Sequence, residues 1–311
     1  MTLDDQHVLV TGGAGFIGSH VTRALLENGA DVSVVDNFFA GEPGYVPDEV
    51  TRHEVDIRSD ECAAVIVETA PNVVVHLAAL HYIPYCNDNP EEAFEVNVMG
   101  TRNLLEAARE VDGLERVVYA SSAAVYPPRD GSHAETDQPG PTDIYGRSKL
   151  VGEDLLELFA AETDVPAATA RLFNTYGTNE TNPHLVPAIL DQLEDGNRTI
   201  ELGNLRPARD FIHVEDIADA LVTLAAYDND GYRAYNVGTG TEHTVREVAE
   251  QVGEALGEDL TITQDEERVR ESDRPHLCAD ISRITRETDW KPQTEFVDGL
   301  RGLLKAEGLV E

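Results

Sequence analysis

The sequence predicts an α/β protein built on a doubly wound parallel sheet, with a smaller α/β region toward the C-terminus. Three observations carry this. Short β-branched runs alternate with helical patterns over roughly the first 180 residues, the rhythm of units whose crossover helices cover both faces of a parallel sheet. A glycine-rich stretch, Thr11-Gly12-Gly13-Ala14-Gly15-Phe16-Ile17-Gly18, separates the first run from the first helical pattern. After about residue 175 the alternation loosens, and 311 residues leave room for about two domains.

His7–Thr11 is apolar and bounded by glycines, hence a buried strand. Phe16–Asn28 carries Ile17, Val21 and Leu25 at helical spacing and stops at Gly29. Asp31–Val35, Val73–Leu77 and Val117–Ala120 read as further strands, and Asp60–Thr69, Glu91–Glu110 and Tyr145–Glu162 as helices. Right-handed crossovers put every strand's C-terminal end on one edge, where ligands bind in such sheets. Beyond the polar loop Asn179–Pro183, helical patterns cover His184–Leu193, Val214–Ala226, Val245–Leu256 and Ile281–Thr288. Short strands are expected near Thr199–Leu202, Tyr235–Val237 and Leu260–Thr263. No repeat, low-complexity tract or long linker separates this part from the rest, so it is expected to sit on the sheet's binding edge.

Composition narrows the class. The hydrophobic fraction of 41% suits a globular core. No apolar run approaches the ~18–20 residues of a membrane helix, and Met1–Asp5 lacks the features of a secretory signal. Cys62, Cys86 and Cys278 are too few and scattered for a disulfide framework or a zinc site, and the expectation is a reducing cytoplasm. Asp and Glu number 59 against 23 Lys and Arg, a formal net charge of −36. Such a surface repels nucleic acid and anionic membranes. The acids are interspersed with regular apolar periodicity, which describes a folded chain with an acidic skin rather than a disordered tail. That skin resembles those of cytoplasmic proteins from salt-in halophiles, where salt screens the self-repulsion.

The glycine motif permits a tight turn and lets a pyrophosphate approach the backbone, with free N–H groups at the following helix N-terminus. Asp36 ends the second predicted strand and can take both ribose hydroxyls of an adenosine. It repels a 2′-phosphate, and no Arg stands between it and Arg52, so NAD is expected rather than NADP. The expected sheet is therefore of the Rossmann type. Tyr145 and Lys149, at i and i+4, share one helical face. A phenol with a pKa of ~10 is a poor base at neutral pH; a nearby ammonium and a nicotinamide cation favour its phenolate. Ser121 and Ser122 end the strand before that helix on the same edge, where a serine hydroxyl can bridge Tyr145 and a substrate hydroxyl.

These motifs, with Asp56-Ile57, His76–Ala79, Asn97, Arg171–Asn174 and Arg209–Asp216 in order along nearly the whole chain, resemble the extended short-chain dehydrogenase/reductase family in its nucleotide-sugar epimerase/dehydratase branch. The resemblance implies an NAD-binding domain over 1–175 and a nucleotide-sugar-binding region over 176–311, with interleaving chain. It implies Tyr145, Lys149 and Ser122 as catalytic residues. It assigns the cofactor to Gly12, Gly15, Phe16, Ile17, Gly18, Asp36, Asn37, Asp56, Ile57, Leu77, Ala78, Ala79, Asn97 and Ser121, with Lys149 on the nicotinamide ribose. Ser122, Asn174, His184, Leu185, Arg209, Arg270 and Leu277 are implied to meet a UDP-sugar, and no metal is implied. A dianionic pyrophosphate on so acidic a protein needs local bases, and Arg206, Arg209, Arg270 and Arg274 stand out for bidentate phosphate contact.

The branch shares oxidation of a sugar C4 hydroxyl. Its dehydratases carry an acidic pair where this chain has Ala123-Ala124, and its decarboxylases carry Glu in place of Ala124. Alanine neither takes nor gives a proton, so the expectation is an NAD-dependent UDP-sugar 4-epimerase acting through a 4-keto sugar with bound NAD. Another nucleotide-sugar-modifying activity (dehydratase, decarboxylase or ketoreductase) and a non-catalytic dinucleotide-binding module are the alternatives. The segments Leu80–Cys86 and Thr178–His184 depart from the family's wording. The family also implies a homodimer through Glu91–Glu110 and Tyr145–Glu162, with Phe94, Val98, Leu105, Leu155, Leu158 and Phe159 as apolar faces.

Overall fold

A computed structural model describes residues 3–269 and 274–310. The chain lays down β1 (His7–Thr11), α1 (Phe16–Glu27), β2 (Asp31–Asp36), β3 (Thr51–Glu54), α2 (Asp60–Thr69) and β4 (Val73–His76). Next come α3 (Ile83–Asp88), α4 (Pro90–Phe94), α5 (Thr101–Ala108), β5 (Arg116–Ser122), a two-residue β6 (Ser132–His133), α6 (Ile144–Thr163), β7 (Ala167–Leu172) and β8 (Asn174–Tyr176). The remainder is α7 (Leu185–Glu194), β9 (Thr199–Leu202), β10 (Ala208–His213), α8 (Val214–Ala226), β11 (Tyr232–Val237), β12 (Glu242–Thr244), α9 (Val245–Leu256), β13 (Thr261–Gln264), β14 (Cys278–Ala279), α10 (Ser282–Thr288) and α11 (Phe296–Ala306).

Seven strands form one parallel sheet in the order β3-β2-β1-β4-β5-β7-β11. The order reverses at β1, which opens a crevice at the C-terminal ends of β1 and β4, the switch point where such sheets bind ligands. α1 and α8 pack on one face around Val8, Val10, Val21, Leu25, Ile217 and Leu221. α2, α5 and α6 cover the other around Leu9, Ile66, Leu104, Leu156 and Phe159. A third core joins α7, α9 and α11 to β9 and β10 through Ile189, Leu202, Phe211, Val252 and Leu303. This last lobe overhangs the sheet's C-terminal edge, while α8 and β11, late in sequence, return to the main sheet.

The predicted doubly wound parallel sheet is present, and the differences have physical reasons. β7, Ala-Ala-Thr-Ala-Arg-Leu, carries no strand signal because alanine has little strand propensity. It is nevertheless buried throughout, and its small side chains let α6 and α8 press close. β3 is a polar edge strand with no alternating pattern, held by pairing with β2. The helix expected over Glu91–Glu110 is interrupted: a π turn at Glu95–Gly100 joins α4 to α5. Leu105 and Phe159, expected on an intermolecular face, are buried in this chain's own core.

Candidate functional site

β1 ends in the glycine loop, and its geometry leaves no room for side chains. Gly12 adopts φ +72°, and a Cβ there would stand 2.7 Å from the Ala78 nitrogen. A Cβ on Gly18, at the start of α1, would stand 2.0 Å from the Gly12 carbonyl oxygen. Backbone therefore lies on backbone at the positive end of α1, a cradle that fits the pyrophosphate of a dinucleotide. Asp36 closes β2 at the rim of this loop. The N–H groups of Ala14 (3.0 Å) and Phe38 (2.8 Å) donate to its two carboxylate oxygens. Burial pushes its carboxyl up, and those two donors pull it back.

Gly12, Gly15, Phe16, Ile17, Gly18, Asp36, Asn37, Asp56, Ile57, Leu77, Ala78, Ala79 and Ser121 all line one cleft of about 1350 Å³. Asn37 donates to Asp56 (3.2 Å), and Asp56 is held by Arg58 at 2.7 Å, which lowers the Asp56 carboxyl to about 2. Arg58 itself faces the cleft, a cation that lies beyond the Asp36–Arg52 stretch. Asn97 does not line the wall. The π turn buries it, and it clamps Leu80 by accepting from that residue's N–H (2.8 Å) and donating to its carbonyl (2.9 Å).

The same cleft continues to Ser122, Tyr145 and Lys149. Asp143 caps α6 by accepting from Gly146 N–H at 2.7 Å, which fixes where Tyr145 leaves the helix. Ser122 accepts from Ala124 N–H at 3.1 Å and starts a tight turn over Ala123–Val125. Burial pushes the Tyr145 phenol upward, and a hydrogen bond with the Ser122 side chain opposes it. Lys149 was expected to supply that pull. In the structure its Nζ donates to the Ala120 carbonyl at 2.8 Å and stands 5.9 Å from the Tyr145 ring centre. Burial lowers Lys149 to about 7, with the nearby Cys86 and Glu153 opposing. Beneath these groups, Ser121 donates to Glu153, and Glu153 pairs with Arg171 at 2.6 Å.

Asn174, His184, Leu185, Arg209 and Leu277 line the opposite wall. The Arg209 guanidinium donates to the carbonyls of Ala208 (2.8 Å) and Arg274 (2.7 Å). Arg274 binds Asp143 at 3.2 Å and the carbonyls of Tyr126 and Ala124, so its role is to brace the α6 entrance. Arg206 is exposed beside Thr244 and Arg246, away from the cleft. Arg270 lies outside the described residues. Sequence reasoning missed Glu180, His81 and Arg268, which also face the cleft; only their place in the two unusual segments marked the first two. Among the described residues no group of three or more His, Cys, Asp or Glu side chains forms a metal site. No helix among them is long and apolar enough to cross a membrane.

The profile of the NAD dependent epimerase/dehydratase family matches residues 8–238. The chain is 33% identical over 304 residues to the UDP-glucose 4-epimerase of Corynebacterium glutamicum, covering 92% of this chain and 91% of that protein. It is 29% identical over 303 residues to UDP-glucuronic acid decarboxylase 1 of Arabidopsis thaliana, covering 94% of this chain and 68% of that protein. Among solved structures, the NAD complex of UDP-glucose 4-epimerase from Thermus thermophilus superposes with a TM-score of 0.87 at 33% identity, covering 96% of this chain and 98% of that one.

Proposed function

The chain belongs to the NAD-dependent epimerase/dehydratase family, and on that premise we propose that it is a UDP-sugar 4-epimerase acting through a transient 4-keto sugar. It is an NAD-dependent nucleotide-sugar-modifying enzyme, and the finer assignment rests on one observation. The wall beside Tyr145 and Ser122 is Ala123-Ala124, both buried. A reaction at C5 or C6 needs an acid or base there, and alanine supplies neither. Oxidation and re-reduction at C4 need only the groups present.

Bound NAD supplies a hydride acceptor that becomes the donor for the return step. The glycine loop holds its pyrophosphate, Asp36 takes the adenosine ribose hydroxyls, and Lys149 holds the nicotinamide ribose. Tyr145 receives the O4 proton, with the Ser122 hydroxyl bridging phenol and substrate. The positive charge of the oxidised nicotinamide ring would favour the phenolate, and the hydrogen bond with Ser122 opposes the upward push of burial. The 4-keto sugar turns in the cleft, and Tyr145 returns the proton after reduction from the other face. Asn174 and Arg209 hold the pyrophosphate of the substrate, and His184, Leu185 and Leu277 line the wall against which the rest of the substrate lies.

Steady-state interconversion of UDP-glucose and UDP-galactose tests this. Tyr145→Phe keeps the ring and loses the proton acceptor, so turnover should fall by roughly 10²–10⁴-fold with NAD binding retained. A variant keeping more than about a tenth of the rate removes Tyr145 as the base. Consumption of external NADH in proportion to product makes the enzyme a reductase.

The acidic skin supports a cytoplasm of high salt as its setting. Phe94 (37% exposed) and Leu158 (52% exposed) lie on α4 and α6, a surface suited to a two-fold homodimer.

A further inference from the structure

The two segments that depart from the family's wording touch each other. Asn182 donates to His81 Nε2 at 2.8 Å, and the His184 ring lies 5.9 Å from that of Tyr82. At its other end the segment 178–184 is tied to α1: Asn179 donates to Ser19 Oγ at 3.1 Å, and His20 Nε2 lies 3.1 Å from the Thr178 carbonyl. The segment is therefore a strap, anchored on the glycine-loop helix and on the residues that follow the Leu77–Ala79 wall. His81, Tyr145 and Lys149 line the same cleft, so the contact between the two segments borders the cleft that holds the catalytic residues. Accepting at Nε2 leaves the neutral His81 ring its proton on Nδ1, hydrogen-bonded to Ala79 backbone. Both ring nitrogens are engaged, so His81 braces the strap.

Glu180, Thr181, Pro183 and His184 of the strap face the cleft. The Glu180 side chain is 4% exposed, with Oε1 2.5 Å from His184 Nδ1. Burial pushes its carboxyl up and the bond to His184 opposes this. The strap brings a carboxylate to this wall and no Lys or Arg. Across the cleft, the arginine beside the Ala123-Ala124 wall is Arg274. Its guanidinium is already engaged by Asp143, Thr142 and the carbonyls of Ala124 and Tyr126. Among the described residues, the guanidinium beside that wall is thus already engaged, and a carboxylate on the sugar would face a buried acid on the other side.

Resting on the 4-epimerase reading, we propose that Glu180 is a specificity-determining residue which restricts the substrate to sugar nucleotides with an uncharged sugar, and that uronic acids are rejected. Its carboxylate accepts hydrogen bonds from sugar hydroxyls and repels a second carboxylate. Like charges set face to face are an efficient means of suppressing a wrong ligand.

The test measures affinity and turnover for UDP-glucose, UDP-N-acetylglucosamine and UDP-glucuronate in molar salt, which screens the field of the acidic surface. The wild type should favour the two neutral sugars over the uronate by roughly 100-fold, and Glu180→Gln should narrow that ratio about tenfold. Thr181→Lys, which leaves the Glu180–His184 bond in place, should narrow it as well. Glu254→Gln, an exposed acid on α9, removes one charge without touching the cleft and should leave the ratio unchanged. Comparable use of UDP-glucuronate by the wild type, or an unchanged ratio in both Glu180→Gln and Thr181→Lys, overturns the proposal. Calorimetric affinities are read separately from turnover. Absence of any epimer interconversion with the affinity ratio intact would reject the 4-epimerase reading and retain the neutral-sugar preference.

Discussion

Gly18→Ala is a small change with a large expected effect. Gly18 lies in the first turn of α1, where alanine is intrinsically better than glycine by about 1 kcal/mol. Its φ is not in the left-handed region, so the backbone itself tolerates a side chain. Packing decides the sign. The new Cβ would sit 2.0 Å from the Gly12 carbonyl oxygen and 2.8 Å from both the Gly12 carbonyl carbon and the Gly13 Cα, whereas ordinary contact begins at 3.4 Å. The missing distance is about 1.4 Å, and every obstructing atom is backbone, so no side chain can swing aside. Overpacking of this kind costs about 1–3 kcal/mol; with no flexible neighbour the upper end applies, for a net loss of about 2 kcal/mol after the helical gain. At ~2–4 °C per kcal/mol for a chain of this size, the melting temperature should fall by about 4–8 °C. The same shift displaces the N–H cradle. Loss of one charge-assisted hydrogen bond, about 1.5–3 kcal/mol, weakens NAD by roughly 10–100-fold. Gly302→Ala is the matched control: it lies on α11 with nothing within 4 Å of its Cβ, so only propensity acts and the protein should gain up to about 1 kcal/mol. The assays are thermal melts and fluorescence titration with NAD on both variants. If Gly18→Ala melts and binds like wild type, the close approach of the two backbones is not what the glycines are for.

The buried Lys149, lowered to about 7, carries a pH signature. Below about 7 both folded and unfolded chains hold the proton, and burial of the charge is fully felt. Between about 7 and its ordinary 10.5 the folded chain sheds the proton first, so the penalty is relieved as pH rises. Lys149→Met should therefore raise the melting temperature of the NAD-free protein more at pH 7 than at pH 10; an equal gain at both would contradict the assigned shift. Stability should climb from low to molar salt, because the Debye length shrinks from ~10 Å at 0.1 M to ~3 Å at 1 M over a surface of net charge −36, and a flat or falling melting curve would count against it. Light scattering at molar salt should give a dimer mass for the wild type and a lower mass for Leu158→Glu, and a monomeric wild type excludes the α4/α6 interface.

Local chemistry made much of this protein legible from its residues alone. A glycine loop between a β-branched run and an amphipathic helix has one common structural solution, so β1, α1, β2 and the Gly12–Gly18 cradle could be placed from the chain. Tyr145 and Lys149 share a face because an α-helix repeats every 3.6 residues. Tertiary structure decided what periodicity does not encode. The Ala-rich β7 is a strand because β5 and β11 flank it, and the turn that buries Asn97 departs from α-helical spacing. Packing in three dimensions also set the charges: it turned the Lys149 ammonium onto the Ala120 carbonyl, engaged Arg274 with Asp143, and drew residues 178–184 across to His81, 101 positions from Asn182. Hydrogen bonds and desolvation depend on separation in space, which the backbone's path through the whole fold determines and no local pattern records.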